Sequence, residues 1–296
     1  MRKRNNIKLN YIMNTILTLS SFIFPLITFP YVSRILLPEG TGRVSFATSV
    51  VSYFLMLSQL GIPTYGIRAC AKVRDDRRKL SRVVHELMAI NLVMSLLSYL
   101  ALGIFVFAIP RLRAQSSLIF IISLTILLNA VGMEWLYKAL EQYTYITIRS
   151  VIFKAIAVVA MLLLIRQQSD YVVYGALTIL AASASNVCNF VHAHTYIDLF
   201  PEEKYNYRQH MKPILVFFAM SCATVIYTNL DTVMLGLMKN NVDVGYYNAA
   251  VKIKGILVGI VTSLGTVMLP RLSYYVERGE MEEFQRLTKK AMNFVI

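Results

Sequence analysis

The fold is decided by the stretch LLPEGTGRVSFA at residues 36–47, a short polar turn between two long apolar runs. An apolar helix of about 20 residues crosses the roughly 30 Å of hydrocarbon in a bilayer. Runs of this length alternate with short polar loops along the chain, which predicts an all-α polytopic membrane protein. We expect eight transmembrane helices, at residues 12–36, 43–61, 84–109, 116–137, 146–166, 171–193, 212–237 and 246–270.

The charge pattern gives these helices an orientation. The chain is 56% hydrophobic and 16% charged, and its 30 Lys and Arg residues outnumber 16 Asp and Glu residues. Most of the basic residues fall in alternate loops, and basic loops remain in the cytoplasm. The basic N-terminus leads into an apolar run too long for a signal-peptide core, so we predict a cytoplasmic N-terminus followed by a transmembrane helix. Because the basic residues adjoin the spans, we expect membrane lipid as a partner and not nucleic acid.

The turn at 36–47 has a counterpart later in the chain, MKNNVDVGYYNAA at residues 238–250. Aligning Gly42 with Gly245 offsets the copies by six spans, and both spans start from the cytoplasmic side. The repeat is therefore parallel, about an axis along the membrane normal. We expect a first six-helix bundle at residues 1–193, a cytoplasmic linker at 194–211 and the start of a second bundle at 212–296. A full second half needs four more spans, so we expect an incomplete version of a twelve-span protein.

Six short motifs stand in order at the ends of the predicted helices: PYVSRILLPEGTG (30–42), GIPTYGIR (61–68), EWLYKALE (134–141), TNLDT (228–232), VGYYNAA (244–250) and LPRL (269–272). Together they resemble the polysaccharide-transport branch of the multidrug/oligosaccharidyl-lipid/polysaccharide exporter superfamily, which includes O-antigen and teichoic-acid flippases. The resemblance implies two six-helix bundles around a central cavity that opens alternately to either side of the bacterial cytoplasmic membrane. The family has no catalytic residues, so none is assigned, and we do not expect an enzyme.

The function implied by this resemblance is the flipping of a polyprenyl-pyrophosphate-linked oligosaccharide for surface polysaccharide biosynthesis, with polysaccharide polymerase and glycosyltransferases as partners. A cation-coupled multidrug exporter is one alternative, although such proteins need acidic cavity residues. A membrane glycan polymerase or ligase is another, although the predicted outer loops are short. The cysteines and histidines lack metal-ligand spacing and no phosphate-cradling glycine motif occurs, so no metal or cofactor is expected.

Charged residues inside a span are costly and are candidates for function. Asp231 and Lys252 lie at similar depths in two neighbouring antiparallel spans, so we expect them to meet as an ion pair. Two interpretations of that pair stay open, a structural lock and a cavity charge that contacts substrate or a coupling ion. Glu134 and Lys138 are four residues apart on one helix face, and their spacing predicts an ion pair that also has a cavity role as an alternative.

Two arginines stand at helix ends. Arg34 ends the first span and Arg68 ends the second, and each is either an ordinary interfacial charge or a cationic rim that holds pyrophosphate. The first span also carries Asn14, a candidate for the cavity lining, and the prolines Pro25 and Pro30, which mark either a hinge or a static kink. The sixth span has a polar stripe that suits helix–helix packing or cavity lining, with Ser183, Ser185, Asn186, Asn189 and His192.

Overall fold

A computed structural model describes residues 7–198, 205–277 and 279–295, and these residues are helical apart from short turns. Two compact units divide the chain, Met1–Tyr247 and Asn248–Ile296. The helices are α1 Ile7–Gln59, α2 Ile62–Val73, α3 Arg77–Ala108, α4 Pro110–Arg113, α5 Ser116–Gly132, α6 Glu134–Ala139, α7 Tyr143–Leu164, α8 Tyr171–Ile179, α9 Asn186–His192, α10 Arg208–Met238, α11 Asn241–Glu277 and α12 Met281–Val295.

Five helical segments of the described chain are long and apolar enough to cross a membrane. They are Leu9–Val73, Arg77–Ala108, Tyr143–Leu164, Gln168–Thr195 and Arg208–Met238, and the shorter Ser116–Gly132 is also apolar. The first segment contains both of the first two predicted spans. Large apolar side chains such as Leu96, Leu100 and Ile104 on α3 are exposed, as expected of a surface that faces lipid. The chain is therefore a multi-pass membrane protein.

The break between the first two predicted spans lies at Leu37. Its backbone has φ 55° and ψ 178° inside an otherwise continuous α1. Pro38 follows, and a proline disfavours helical dihedral angles at the residue before it. Pro25 and Pro30 lie within the same helix without a comparable break, because neighbouring helices can accommodate the backbone groups that a membrane proline frees.

Two predicted spans are less regular than the sequence suggested. The span predicted at 116–137 is not one helix, because Met133 adopts left-handed angles (φ 41°, ψ 36°) between α5 and α6. The span predicted at 171–193 contains a π-helical turn, Leu180–Ala184, between α8 and α9. The periodicity of apolar residues predicts neither a left-handed residue nor a π-helical turn, since both leave the run of apolar residues unbroken.

The two ends of the first unit differ in charge. One end, here called the basic end, carries residues 68–82, in which seven Lys and Arg outnumber two Asp, together with the turns 140–142 and 196–198. The other end carries the segments 37–42, 109–115 and 165–170. At the basic end, Arg74 binds Glu141 (2.6 Å) and Arg77 binds Asp198 (2.8 Å). The Asp76 carboxylate caps α3 by accepting the backbone N–H groups of Lys79 and Arg78, and these bonds lower the pKa of Asp76.

Some expectations fall wholly or partly outside the described chain. Residues 199–204 of the predicted linker are not described. The eighth predicted span, 246–270, lies within α11, but many of its side chains are also outside the description. The second unit contains the rest of α11 together with α12, where Arg286 binds Glu283 at 2.9 Å. The two-bundle repeat and the proposed domain bounds stay predictions.

Candidate functional site

A cavity of about 510 Å³ with polar and apolar walls lies in the first unit, between the first half of α1, α6, α7 and α8 with its π-helical turn. We call it the charged cavity. Apolar residues on its wall include Leu17, Phe22 and Phe24. Its polar lining residues are Asn14, Thr18, Ser21, Glu134, Lys138, Ser150, Lys154 and Thr178.

Two lysines face this cavity with different partners. Lys138 binds Glu134 at 2.8 Å, as the four-residue spacing predicted. Lys154 donates to the hydroxyls of Ser20 (2.8 Å) and Ser21 (2.9 Å) on α1. Over the described chain Lys154 has no carboxylate partner. An ammonium group held only by neutral hydroxyls inside a membrane protein is available to an anion.

A third cation, Arg149, lies on α7 directly before Ser150, which lines the cavity. Its side chain is 7% exposed, and its Cζ is 5.7 Å from the centre of the Tyr145 ring. Its Nε and Nη1 have no hydrogen-bond partner among the described residues. The Glu134 carboxylate is close enough to act on it electrostatically. A buried guanidinium with unbonded donors is costly, so this arrangement calls for a functional reason.

The break between α5 and α6 presents Glu134 and Lys138 to the cavity. Ending α5 at Gly132 frees the Gly132 carbonyl, which accepts a hydrogen bond from Asn189 Nδ2 at 2.6 Å. A Cβ built on Gly132 would lie 2.5 Å from Asn186 Cγ, so α5 and α9 approach closely. The polar stripe of the sixth predicted span is thus packing between helices, since the following members are buried: Ser183, Ser185, Asn186 and Asn189.

A second cavity, of about 450 Å³, lies between the second half of α1, α2 and α10. We call it the neutral cavity, because its lining residues carry hydroxyl, amide and apolar groups and no ionisable side chain. The guanidinium of Arg68 lies beside it, 5.0 Å from the ring centre of Phe217. Its polar lining residues are Ser52, Gln59, Thr64, Ser221, Thr224 and Asn229.

The predicted site residues are distributed over these features. Asn14 and Glu134 line the charged cavity, and Arg68 stacks on a wall residue of the neutral cavity. Arg34 is exposed on α1, three residues before the break at Leu37. Asp231 accepts a hydrogen bond from the Tyr247 hydroxyl at 2.6 Å. Lys252 belongs to the second unit, so its pairing with Asp231 stays a prediction.

Sequence reasoning missed both Lys154 and Arg149. Arg149 is buried within α7. Both fall inside the apolar run predicted at 146–166. A basic residue inside such a run is itself the signal that could have identified them.

A second buried network also escaped the sequence analysis. Glu86 on α3 is fully buried and binds His210 Nε2 at 2.6 Å, while Tyr65 OH lies 2.8 Å from His210 Nδ1. The same carboxylate accepts from the backbone N–H of Asn206 (2.6 Å) and from Gln209 Nε2 (3.0 Å). This network ties the beginning of α10 to α2 and α3 at the basic end.

The family model and the relatives that match this chain point to the same family. The model of a family described as "Polysaccharide biosynthesis protein" matches residues 7–276. A protein named "Putative O-antigen transporter" from Escherichia coli (strain K12) is 21% identical over 271 residues, which are 90% of this chain and 65% of that protein. A protein of the same name from Shigella dysenteriae is 26% identical over 266 residues, 86% of this chain and 64% of that protein. The chain thus spans less than two thirds of the length of these relatives. No solved structure matches it.

Proposed function

We propose, because this chain belongs to the polysaccharide biosynthesis protein family, that it turns a polyprenyl-pyrophosphate-linked oligosaccharide over from the cytoplasmic to the opposite face of the membrane. The observation that carries this proposal is the excess of positive charge in and beside the charged cavity. Lys138, Lys154 and Arg149 face a single carboxylate, Glu134. A pyrophosphate diester brings one negative charge on each phosphate and balances this excess.

The lysines are suited to hold the phosphates. Lys154 is anchored by two hydroxyls on α1, which fixes its ammonium group without neutralising it. Inside a membrane protein, where water is scarce, such an ammonium attracts an anion more strongly than it would in solution. Asn14 and Ser150, on the same wall, add polar groups that can bond to the first sugar.

The neutral cavity is suited to sugars. Hydroxyl and amide groups on α1 and α10 offer donors and acceptors, and Phe217 and Met220 offer apolar surface for the faces of sugar rings. Arg68 lies at its edge and is proposed as a cationic rim on the cytoplasmic side, with Arg34 in the same role at the other end of the first span.

Alternating access is the proposed mechanism. Two six-helix bundles would rock about the central cavity, with residues 194–211 as their linker. Pro25 and Pro30 would let the first half of α1 bend during this motion. Asp231 and Lys252 are proposed as cavity charges that respond to substrate or to a coupling ion. Polysaccharide polymerase and glycosyltransferases are proposed as partners.

A cation exporter would need the opposite electrostatics. An organic cation entering the charged cavity would meet Lys154 and Lys138 before it met the carboxylate that is already paired with Lys138. Like charges at close range in a medium of low dielectric repel strongly. The arrangement therefore favours an anionic substrate.

The test uses a host from which the gene has been deleted. The deletion strain is complemented with the intact gene, with the Lys154→Gln variant or with the Lys72→Gln variant. Lys72 is exposed on α2, so its variant is the matched control. Surface polysaccharide is stained and polyprenyl-linked glycans are extracted from each strain. We expect Lys154→Gln to lose surface polymer and to accumulate lipid-linked repeat units, while Lys72→Gln behaves as the intact gene. Unchanged glycans on deletion would overturn the proposal.

A further inference from the structure

We propose that Glu134 is a movable counter-ion that holds Lys138 until a substrate phosphate displaces it, and that Arg149 then receives its carboxylate. This inference rests on the proposed function, because it describes how the same cavity accepts its anion. Glu134 and Arg149 are positioning residues in this scheme, and Lys138 and Lys154 are the residues that touch the phosphates.

Glu134 is placed to move. It is the first residue of α6 and follows Met133, whose left-handed backbone breaks the helix. Its side chain is 40% exposed, toward the cavity. Besides its bond to Lys138, the carboxylate acts electrostatically on both Arg149 and Lys154. One acidic side chain thus serves three cations, and it can pair closely with only some of them at a time.

Arg149 is placed to receive it. Two of its donors, Nε and Nη1, lack hydrogen-bond partners although the side chain is more than nine-tenths buried. The neighbours that act on it, apart from Glu134, are Tyr145, Cys188 and Tyr137, and Glu134 is the acidic group among them. A carboxylate can bond to a guanidinium through two parallel N–H donors, a geometry that an ammonium group does not offer.

The exchange improves the pairing of every charge in the site. With Glu134 on Lys138, Arg149 has unbonded donors and Lys154 has hydroxyl partners. With Glu134 on Arg149, both lysines are free to bind the two phosphates, and no buried charge lacks an opposite one. Without an anion, the second arrangement would leave Lys138 and Lys154 in one cavity with no negative charge between them, and like charges repel, so an anion in the cavity favours it.

Trp135 supplies a signal next to the moving group. It is the single tryptophan of the chain, it adjoins Glu134, and it is 5% exposed. Its fluorescence in the purified full chain in detergent can follow a titration with geranylgeranyl pyrophosphate, while geranylgeraniol, which has the same lipid tail and no phosphate, reports binding of the tail alone.

A double-mutant cycle between Glu134 and Arg149 tests the inference. Glu134→Gln removes the competing charge and should tighten binding of the pyrophosphate probe about tenfold. Arg149→Gln removes the alternative partner and should weaken binding about tenfold, but it should have no effect in the Glu134→Gln background. Arg149→Lys keeps the charge and loses the bidentate geometry, so its affinity for the probe should lie between that of the unaltered chain and that of Arg149→Gln. Glu141→Gln, at the basic end and outside the cavity, is the matched control and should bind as the unaltered chain does.

Different results separate this inference from the proposed function. If Arg149→Gln weakens binding of the pyrophosphate probe equally with and without Glu134, then Arg149 binds phosphate itself and the inference is overturned. Weaker binding of the probe by Glu134→Gln would also overturn it. Thermal unfolding of each variant identifies loss of structure, and if Arg149→Gln does not fold the cycle is run with Arg149→Lys. The phosphate role of the cavity would instead be overturned by either of two results. The unaltered chain could bind geranylgeranyl pyrophosphate no more tightly than geranylgeraniol, or Lys154→Gln could bind the pyrophosphate as tightly as the unaltered chain.

Discussion

Gly42 and Gly245 pack against each other so closely that neither position has room for a side chain. A Cβ built on Gly42 would overlap the carbonyl oxygen of Asn241 and lie 2.8 Å from the Gly245 nitrogen, and one built on Gly245 would overlap the Pro38 carbonyl. These are the two glycines that the repeat in the sequence aligns. Contact between equivalent positions is expected where a two-fold axis passes between two copies of a motif, which favours the proposed parallel repeat.

Alanine at Gly42 should therefore destabilise the protein. The clashing atoms belong to backbone and cannot rotate away, so α1 and α11 must separate, at a cost of about 1–3 kcal/mol. The melting temperature in detergent measures this loss of stability. It is read from the loss of the monodisperse peak in size-exclusion chromatography after heating. Gly103→Ala is the matched control, since a Cβ there meets nothing within 4 Å. An unchanged melting temperature for Gly42→Ala would contradict the packing described here.

The buried Glu86–His210 pair should be among the most costly side-chain pairs to break. Glu86 is fully buried with three polar partners besides the more distant Arg82 at 3.7 Å, so Glu86→Ala leaves His210, the Gln209 amide and the Asn206 N–H without this acceptor. Breaking a buried pair by removing one partner costs about 3–5 kcal/mol. Arg74 and Glu141 form the control pair, because both are exposed at the basic end and an exposed pair contributes about 0–1 kcal/mol.

Unfolding by graded addition of a denaturing detergent can compare the two pairs. We expect Glu86→Ala to shift the midpoint strongly and Glu141→Ala to leave it nearly unchanged. A cycle with His210→Ala should show coupling, since the second substitution removes a group that the first has already stranded. Additive effects of the two substitutions would mean that the pair does not act as a unit.

Hydropathy and local residue spacing predict much of the fold. The turn after Leu37, the apolar spans and the Glu134–Lys138 pair all follow from short stretches of sequence, because a proline, a run of apolar residues and a four-residue spacing act locally. The family followed from six motifs at helix ends, and the matched family model agrees.

The site itself could not be read in the same way. Arg149 and Lys154 lie five residues apart on one helix, and only the packing of α7 against its neighbours decides that the first is buried beside Tyr145 and the second bonds to Ser20 and Ser21. Glu86 and His210 are more than a hundred residues apart, and nothing in the local pattern of either predicts the other. At the break before Met133, the Gly132 carbonyl likewise accepts its hydrogen bond from Asn189 of a distant helix.

Asn189 should prove essential to that break. Its Nδ2 donates to the Gly132 carbonyl at 2.6 Å, and the side chain is fully buried, so Asn189→Leu leaves a carbonyl in the protein interior without this donor. An unsatisfied buried group costs about 1–3 kcal/mol. Because Glu134 begins the next helix, we also expect this substitution to disturb the charged cavity and to weaken the response of Trp135 fluorescence to geranylgeranyl pyrophosphate. Phe190→Leu, on the exposed face of the same helix, is the control. If Asn189→Leu lowers stability but leaves that response intact, then the break at Met133 is held by other contacts and Asn189 does not position the cavity carboxylate.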